Sequence, residues 1–128
     1  MSRQYYLGEV LKGGTRALGT AGVENARYDA EELLGHVIGV SPKELLVHRD
    51  RALDEETVKH YFSLIERRSE HYPLQYLLQE WDFYNLSFTV KEGVLIPRPE
   101  TELLVDIALQ FLKRYHMDGP PARVLDLC

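Results

Sequence analysis

One arginine and the residues directly behind it are the groups in this sequence best suited to hold a ligand. Arg98 carries a planar guanidinium that can bind a carboxylate through two hydrogen bonds. That carboxylate could belong to a cofactor, to an acidic partner or to Glu102 in the same segment, and the sequence does not distinguish the three. Pro99, Glu100 and Thr101 follow where a helix is predicted to open, so closeness to a ligand and ordinary helix capping explain them equally well.

A second candidate site is the run Val124–Cys128, whose only charged side chain is Asp126. Such a run is typical of a parallel strand buried on both faces of a sheet. In nucleotide-binding domains the first strand leads into a glycine-rich turn, where backbone N–H groups approach the cofactor. An acid here also caps ordinary turns. Because no earlier segment supplies a partner strand, we expect the chain from about Gly119 to be poorly ordered or to pack against another molecule.

Metal and disulfide chemistry are not predicted. The five histidines lie on separate segments without the spacing of metal ligands, and Cys128 is the single cysteine. This cysteine usage suits a reducing cytoplasm. The chain has 15 Lys and Arg against 20 Asp and Glu, a formal charge of −5, which argues against direct binding of nucleic acid. The N-terminus shows neither a signal peptide nor a membrane span.

Helices are predicted over most of the chain that precedes these sites. Apolar residues recur at helical spacing over residues 5–21, although the pair Gly13 and Gly14 weakens this prediction. A second apolar stripe occupies residues 30–38 and ends at Gly39, a residue that commonly follows a helix. The two stripes together predict a pair of amphipathic helices that share a core.

Two more helices are predicted from their capping signals. Residues 41–44, Ser-Pro-Lys-Glu, have the pattern of a capping box and open a short helix. A longer helix starts at Asp54, which can cap it, and breaks at Pro73. Arg67 and Arg68 near its end are better explained by the helix dipole than by a substrate contact.

The pattern changes after Pro73 to short aromatic and β-branched runs. Around Asn85, which tolerates left-handed backbone angles, these runs predict a β-hairpin. The prolines of Val94–Pro99 hold the chain extended, and Pro99 then opens the clearest helix. Core packing explains the aromatic side chains of this region better than a partner-recognition patch does; they are Tyr72, Tyr76, Trp81, Phe83, Tyr84 and Phe88.

Three motifs carry a family resemblance. They are Pro73-Leu74-Gln75-Tyr76, Trp81-Asp82-Phe83-Tyr84 and, most specifically, Ile96-Pro97-Arg98-Pro99-Glu100-Thr101-Glu102. With the order of the other elements, they make the whole chain resemble the release-factor glutamine methyltransferases of the PrmC/HemK family. Gln79 and Asn85 depart from that family, which commonly has glycine in this hairpin region, but both residues still permit a turn.

The resemblance implies a mainly α fold. It consists of a small N-terminal helical bundle, a β-hairpin, and the first helix and strand of a truncated Rossmann-like methyltransferase domain. The expected divisions are a substrate-recognition domain over residues 1–73, a hairpin linker over 74–93 and the start of the methyltransferase domain over 94–128. The resemblance places Arg98, Pro99 and Thr101 beside the cofactor cleft. It also places Asp126 and Cys128 at the end of the first strand, near the methionine part of the cofactor.

The resemblance further implies an activity. The intact protein would transfer a methyl group from S-adenosylmethionine to the side-chain amide (N5) of the glutamine in the Gly-Gly-Gln motif of peptide chain release factors. The cofactor turn and the family's Asn-Pro-Pro-Tyr loop are not among these residues, so we expect this piece to recognise the release factor without catalytic residues, cofactor binding or activity of its own. A non-catalytic helical adaptor is the alternative, and the acidic balance disfavours a nucleic-acid methyltransferase.

Overall fold

The described chain consists of helices with two very short antiparallel sheets. It comprises residues 3–116 and 118–127 of a computed structural model. In chain order the elements are β1 (Tyr5–Tyr6), α1 (Leu7–Thr20), α2 (Ala26–Ile38), α3 (Pro42–Leu45), β2 (Ala52–Leu53), α4 (Glu55–Ser69), α5 (Leu74–Leu78), β3 (Glu80–Phe83), β4 (Leu86–Thr89) and α6 (Pro99–His116). Strand β1 pairs with β2, and β3 pairs with β4. The predicted mainly α fold class is confirmed.

The helix ends lie where local capping chemistry places them. The Asp54 carboxylate accepts a hydrogen bond from the Thr57 N–H at 2.7 Å and caps α4. The Glu44 carboxylate accepts one from the Ser41 N–H at 2.9 Å, so the capping box predicted for α3 is present. Gly39 follows α2 with a φ of 74°, the left-handed conformation that commonly ends helices. These predictions are confirmed because each depends on only a few neighbouring residues.

One apolar core joins helices α1, α2, α4 and α5. Tyr61 of α4 is the largest fully buried side chain, and its hydroxyl donates to the Ala30 carbonyl of α2 at 3.1 Å. A Cβ at Gly14 of α1 would collide with the Tyr61 hydroxyl and ring. The glycine that weakened the helix prediction is therefore one that the packing requires. The core includes Leu7, Val10, Leu11, Leu18, Val23, Ala30, Leu33, Leu34, Leu45, Leu53, Val58, Tyr61 and Ile65, together with three residues of α5.

The pairing of β1 with β2 is not predicted from the sequence. Tyr5 lies opposite Leu53 in this antiparallel pair, and the Leu7 N–H donates to the Arg51 carbonyl at 2.9 Å just beyond it. These bonds hold the start of α1 against the segment that precedes α4. A strand of two residues is too short to show the alternation by which strands are recognised in a sequence.

Helix α5 is not predicted from the sequence either. The sequence predicts Pro73 only as the break after α4, but this proline lies directly before α5 as well. Leu74, Leu77 and Leu78 of this helix are buried and belong to the core. Five residues cover little more than one helical turn, so their apolar spacing could not reveal a helical period.

The predicted β-hairpin is present as β3 and β4. Phe83 pairs with Leu86, and the turn residues Tyr84 and Asn85 both have positive φ, 53° and 59°. Two left-handed residues make the kind of turn that suits the twist of a hairpin. Gln79, directly after α5, is left-handed too, with a φ of 62°. Gln79 and Asn85, the two departures from the family pattern, thus both adopt a conformation that favours glycine.

Helix α6 begins at Pro99, as predicted, but much of its apolar face is uncovered. Leu103, Leu104 and Ile107 are 64%, 66% and 56% exposed. The strand predicted over Val124–Cys128 is not formed, since residues 121–127 belong to no helix or strand and Cys128 lies outside the described residues. A strand needs a neighbour for its backbone hydrogen bonds, and no other segment of the described chain pairs with this one.

The packing of Tyr61 predicts the effect of a methyl group on α1. Gly14→Ala should lower the free energy of unfolding by about 2–3 kcal/mol, because its methyl group overlaps the buried phenol. Gly19→Ala is the matched control in the same helix, since its methyl group would meet only the Ala26 Cβ, at 4.0 Å. This control should gain up to about 1 kcal/mol from the better helix propensity of alanine. Urea denaturation followed by circular dichroism measures both, and equal stability of Gly14→Ala and the parent protein would contradict this packing.

The left-handed conformation of Gln79 gives a second prediction. Gln79→Gly should raise the free energy of unfolding by about 0.5–1 kcal/mol, because glycine adopts this conformation without the steric cost that a side chain incurs. Gln75→Gly inside α5 is the control, and it should lower stability by a similar amount. Thermal denaturation measures the stability of both variants relative to the parent protein. A Gln79→Gly protein less stable than the parent would show that the prediction is wrong.

Candidate functional site

Three tyrosine hydroxyls connect the helical bundle, the hairpin and the segment that leads to α6. Tyr72, just after α4, donates to the Glu92 carboxylate at 2.7 Å. Tyr76 of α5 donates to the Val94 carbonyl at 2.7 Å. Tyr84 in the hairpin turn supplies the third hydroxyl, which bonds to α6. We call Tyr72, Tyr76 and Tyr84 the tyrosine linkage. It holds the residues on both sides of the predicted Arg98 site in defined positions.

Tyr84 bonds to α6 at two successive turns of that helix. Its backbone N–H donates to the Glu102 carboxylate at 2.8 Å, and its hydroxyl donates to the Asp106 carboxylate at 2.6 Å. Glu102 and Asp106 are four residues apart, so they lie on one face of the helix. The hydrogen bond to Asp106 raises the pKa of Tyr84, because it favours the protonated phenol. The hairpin turn is therefore attached directly to the helix that Pro99 opens.

Tyr72 lies between a cation and an anion. The Arg67 guanidinium carbon is 4.2 Å from the centroid of the Tyr72 ring, within the range of a cation–π contact. The hydrogen bond to Glu92 raises the pKa of the Tyr72 hydroxyl, with a smaller opposing effect from Arg67. Arg67 thus contacts the tyrosine linkage, a role that the interpretation as a helix-dipole residue did not include.

Arg68 has a further role that its position near the end of α4 does not reveal. Its Nε donates to the Asp29 carboxylate at 2.7 Å, and its Nη1 donates to the Tyr72 carbonyl at 3.2 Å. Asp29 is buried, at 5% exposure, so this ion pair joins α2 to the end of α4 inside the protein. One signal was visible in the sequence: Asp29 is four residues before Leu33 and so lies on the apolar face of α2, where an acid needs a partner.

The aromatic side chains of this region have mixed roles. Tyr72 and Trp81 are partly buried against the core, as the sequence analysis favoured. Phe83 and Phe88 form an edge-to-face pair across the hairpin with ring centroids 6.3 Å apart, and Phe88 is 42% exposed. Core packing alone does not account for Tyr76, since its hydroxyl bonds to the segment after the hairpin.

The structure brings Arg98, Pro99 and Thr101 together where α6 begins. All three are exposed, and the Thr101 N–H donates to the Arg98 carbonyl at 3.1 Å. No ion pair within the described residues engages the Arg98 guanidinium. Glu102 is one of the three proposed sources of a carboxylate for Arg98, but its carboxylate accepts a hydrogen bond from the Tyr84 backbone N–H instead. Arg98 therefore remains available to an acid from outside this segment.

The other candidates are not brought to this place. Asp126 is exposed, and no hydrogen bond or ion pair joins it to Arg98 or Thr101 in the structure as described. Cys128 lies outside the described residues. Among residues 3–116 and 118–127, no group of three or more His, Cys, Asp and Glu side chains could hold a metal ion. Over the same residues, no helix has the length and apolar character needed to span a membrane.

The chain is similar to a known domain family and to several longer proteins. A family model described as the PrmC N-terminal domain matches residues 9–78, more than half of the chain. The release factor glutamine methyltransferase of Haemophilus influenzae is 40% identical over 105 residues, covering 81% of this chain and 36% of the relative. That of Clostridium botulinum is 34% identical over 122 residues, covering 95% of this chain and 42% of the relative.

A longer relative matches as well. The protein named bifunctional methyltransferase in Rickettsia bellii is 32% identical over 114 residues, which cover 89% of this chain and 20% of the relative. The chain thus spans about two fifths or less of the length of these curated relatives. The segment from Arg98 to Thr101 lies beyond the residues that the family model matches.

The contact between Tyr84 and Asp106 gives a pH prediction. The pKa of Tyr84 is higher in the folded protein than in the unfolded chain, where it is about 10. The stability that this contact contributes should therefore be fully present below about pH 10 and should be lost as pH rises through the folded pKa. Asp106→Asn keeps an oxygen acceptor but removes the charge, so the pKa should move back towards 10. Absorbance of tyrosinate against pH measures the change, with Tyr84→Phe identifying the signal and Asp126→Asn as the control. Superimposed titration curves for Asp106→Asn and the parent protein would contradict the contact.

Proposed function

Because the chain belongs to the PrmC family of release factor glutamine methyltransferases and spans their N-terminal part, we propose that it recognises a peptide chain release factor for methylation. The intact cytoplasmic enzyme transfers a methyl group from S-adenosylmethionine to the amide nitrogen of the glutamine in the Gly-Gly-Gln motif. The observation that carries this proposal is the match of residues 9–78 to the PrmC N-terminal domain, together with the Ile-Pro-Arg-Pro-Glu-Thr-Glu segment behind the hairpin.

The chemistry explains why recognition and catalysis are divided between parts of the protein. An amide nitrogen is a poor nucleophile, because its lone pair is delocalised into the carbonyl. Methyl transfer to it therefore depends on holding the side chain in line with the donor and on fixed acceptors for its N–H bonds. The family resemblance assigns those acceptors to an Asn-Pro-Pro-Tyr loop, which is not among these residues. The helical unit contributes by fixing where the release factor lies.

The uncovered apolar surface supports a continuing domain. Leu103, Leu104 and Ile107 of α6 are exposed, and so are Val124, Leu125 and Leu127. Burying a leucine or isoleucine side chain is worth about 1.5–3 kcal/mol, so two such clusters favour a sheet that covers both. These exposed residues support the proposal of a methyltransferase domain, which the family resemblance starts at about residue 94. The proposed divisions remain 1–73 for recognition, 74–93 for the hairpin linker and 94–128 for the start of that domain.

One described residue fits the cofactor directly. S-adenosylmethionine supplies the methyl group when bound, and its methionine part carries a carboxylate. The exposed Arg98 guanidinium, which makes no ion pair in the described chain, can hold such a carboxylate with two hydrogen bonds. Pro99 and Thr101 lie beside it where α6 begins. In the intact domain, Asp126 and Cys128 are proposed to lie at the end of its first strand, near the methionine part of the cofactor. Residues 1–128 alone should not bind the cofactor.

The test uses the full-length protein with a release factor as substrate. Mass spectrometry should find one added methyl group on the Gly-Gly-Gln glutamine, and none when that glutamine is replaced by alanine. Arg98→Ala should raise the KM for S-adenosylmethionine about tenfold, because a charged hydrogen bond is lost. Arg123→Ala, a change of another exposed arginine, is the control and should leave KM unchanged. A release factor that stays unmethylated would refute the function, and an unchanged KM in Arg98→Ala would refute the role of Arg98 alone.

A further inference from the structure

A concave groove with a basic rim lies on the helical bundle, formed by α1, the start of α2 and the loop that follows α3. Its volume is about 580 Å³, within the size range of protein ligand sites. Tyr6, Leu11 and Thr15 contribute to a surface that is mostly apolar. Because the Thr15 hydroxyl already donates to the Leu11 carbonyl at 2.9 Å, the wall offers few free polar groups besides its charges.

The charges around this groove are mainly positive. Lys12, Arg16, Arg27 and Arg49 line it, against two acids. Only Arg27 is in an ion pair, at 2.9 Å from Glu31, and the other three cations make none within the described residues. With four cations against two acids, the lining has a formal charge of +2 in a chain whose formal net charge is −5. The groove is therefore a local exception to the electrostatics of the protein.

The backbone places three of these cations, Lys12, Arg16 and Arg49, on adjoining segments. Lys12 and Arg16 are four residues apart on α1 and so share a face of the helix. The Gly8 N–H donates to the Arg49 carbonyl at 3.0 Å, next to the pairing of β1 with β2. This bond fixes the loop that carries Arg49 against the first turn of α1. Like charges held together in this way repel one another, and an anion bound between them would relieve that repulsion.

We propose that this groove binds an acidic segment of a protein partner, with an apolar side chain of that segment against Tyr6 and Leu11. The cations match carboxylates, and the mostly apolar wall matches an aliphatic or aromatic anchor. A nucleic acid would meet few polar groups on that wall and an acidic protein around it. The partner's identity as a release factor rests on the proposed function, whereas the chemistry of the bound segment rests on the groove alone.

A second concavity has the opposite character and limits how the partner can lie. It is lined between α2 and the hairpin by residues that include Glu32, Glu80 and Asp82. Burial, followed by the neighbouring charge of Glu31, raises the pKa of Glu32. An acidic segment is repelled from this cleft and attracted to the basic groove, so the two surfaces together select one orientation.

The kinetic test uses the full-length enzyme with Lys12→Glu and Arg16→Glu combined. The matched control combines Lys43→Glu and Lys59→Glu, which make the same change in charge at exposed positions that do not line the groove. The groove variant should raise the KM for the intact release factor about tenfold, leave kcat within about twofold, and leave the KM for a short Gly-Gly-Gln peptide unchanged. The control should keep all three values. Equal KM values for the groove variant and the control would overturn the proposal and leave the methyltransferase function standing.

A binding test decides the proposal even if no methyl transfer is found. The probe is a short fluorescein-labelled peptide of Asp and Glu with one central Phe, titrated with the full-length protein and followed by anisotropy. The dissociation constant should rise at least about tenfold for the groove variant. It should rise similarly for a peptide whose Phe is replaced by Ser, and for the original peptide at high salt. Absence of binding, or equal binding by the groove variant, would overturn the proposal. So would tighter binding of a single-stranded RNA oligomer that depends on the same two residues.

Discussion

The buried phenol of Tyr61 is the contact on which the arrangement of the helices depends. Its ring lies against Gly14 of α1, and its hydroxyl donates to the Ala30 carbonyl of α2. Burial raises the pKa of this hydroxyl, so it remains a neutral donor over the whole physiological range. A buried hydroxyl without an acceptor would be costly, which ties the spacing of α2 and α4 to this bond. This packing also determines the shape of the basic groove, because the groove is lined by residues of α1 and the start of α2.

Polar contacts extend the order of the bundle to the hairpin and α6. The buried pair of Asp29 and Arg68 fixes the end of α4, and removing one partner of such a pair usually costs about 3–5 kcal/mol. From there the tyrosine linkage continues to Glu92, Val94 and Asp106. Most of these later contacts are exposed to water, so each contributes little to stability. Their effect is geometric, since they set where α6 begins relative to the helical bundle.

The two ends of the chain differ in how completely they bury their apolar residues. The bundle encloses its core, whereas α6 leaves leucines and an isoleucine in contact with solvent. This difference corresponds to the two proposed roles, recognition of the release factor by the bundle and methyl transfer by the domain that α6 opens. A closed helical unit can present a stable docking surface, whereas the exposed apolar residues of α6 leave a face that the proposed methyltransferase domain would cover. Recognition by the groove and positioning through the hairpin would then act together on one substrate.

The sequence alone determined the features that depend on neighbouring residues. The predicted helix ends are found at Asp54, Gly39 and Pro99, and the predicted hairpin turn contains Asn85. These predictions succeed because capping and turn geometry are decided within about four residues. The family resemblance also came from contiguous motifs. The same locality explains the misses: α5 and the β1–β2 pair are too short to show a period.

Only the tertiary structure decided which distant residues meet. Arg68 and Asp29 are 39 residues apart in the chain, and Tyr84 and Asp106 are 22 apart. The sequence showed Arg68 as a helix-end cation and Gly14 as a weak point in α1, since nothing local identifies the partner across the core. The strand expected at Val124–Cys128 also depends on a partner that local sequence does not identify. Its apolar pattern is present, but a strand forms only where a neighbour supplies its hydrogen bonds.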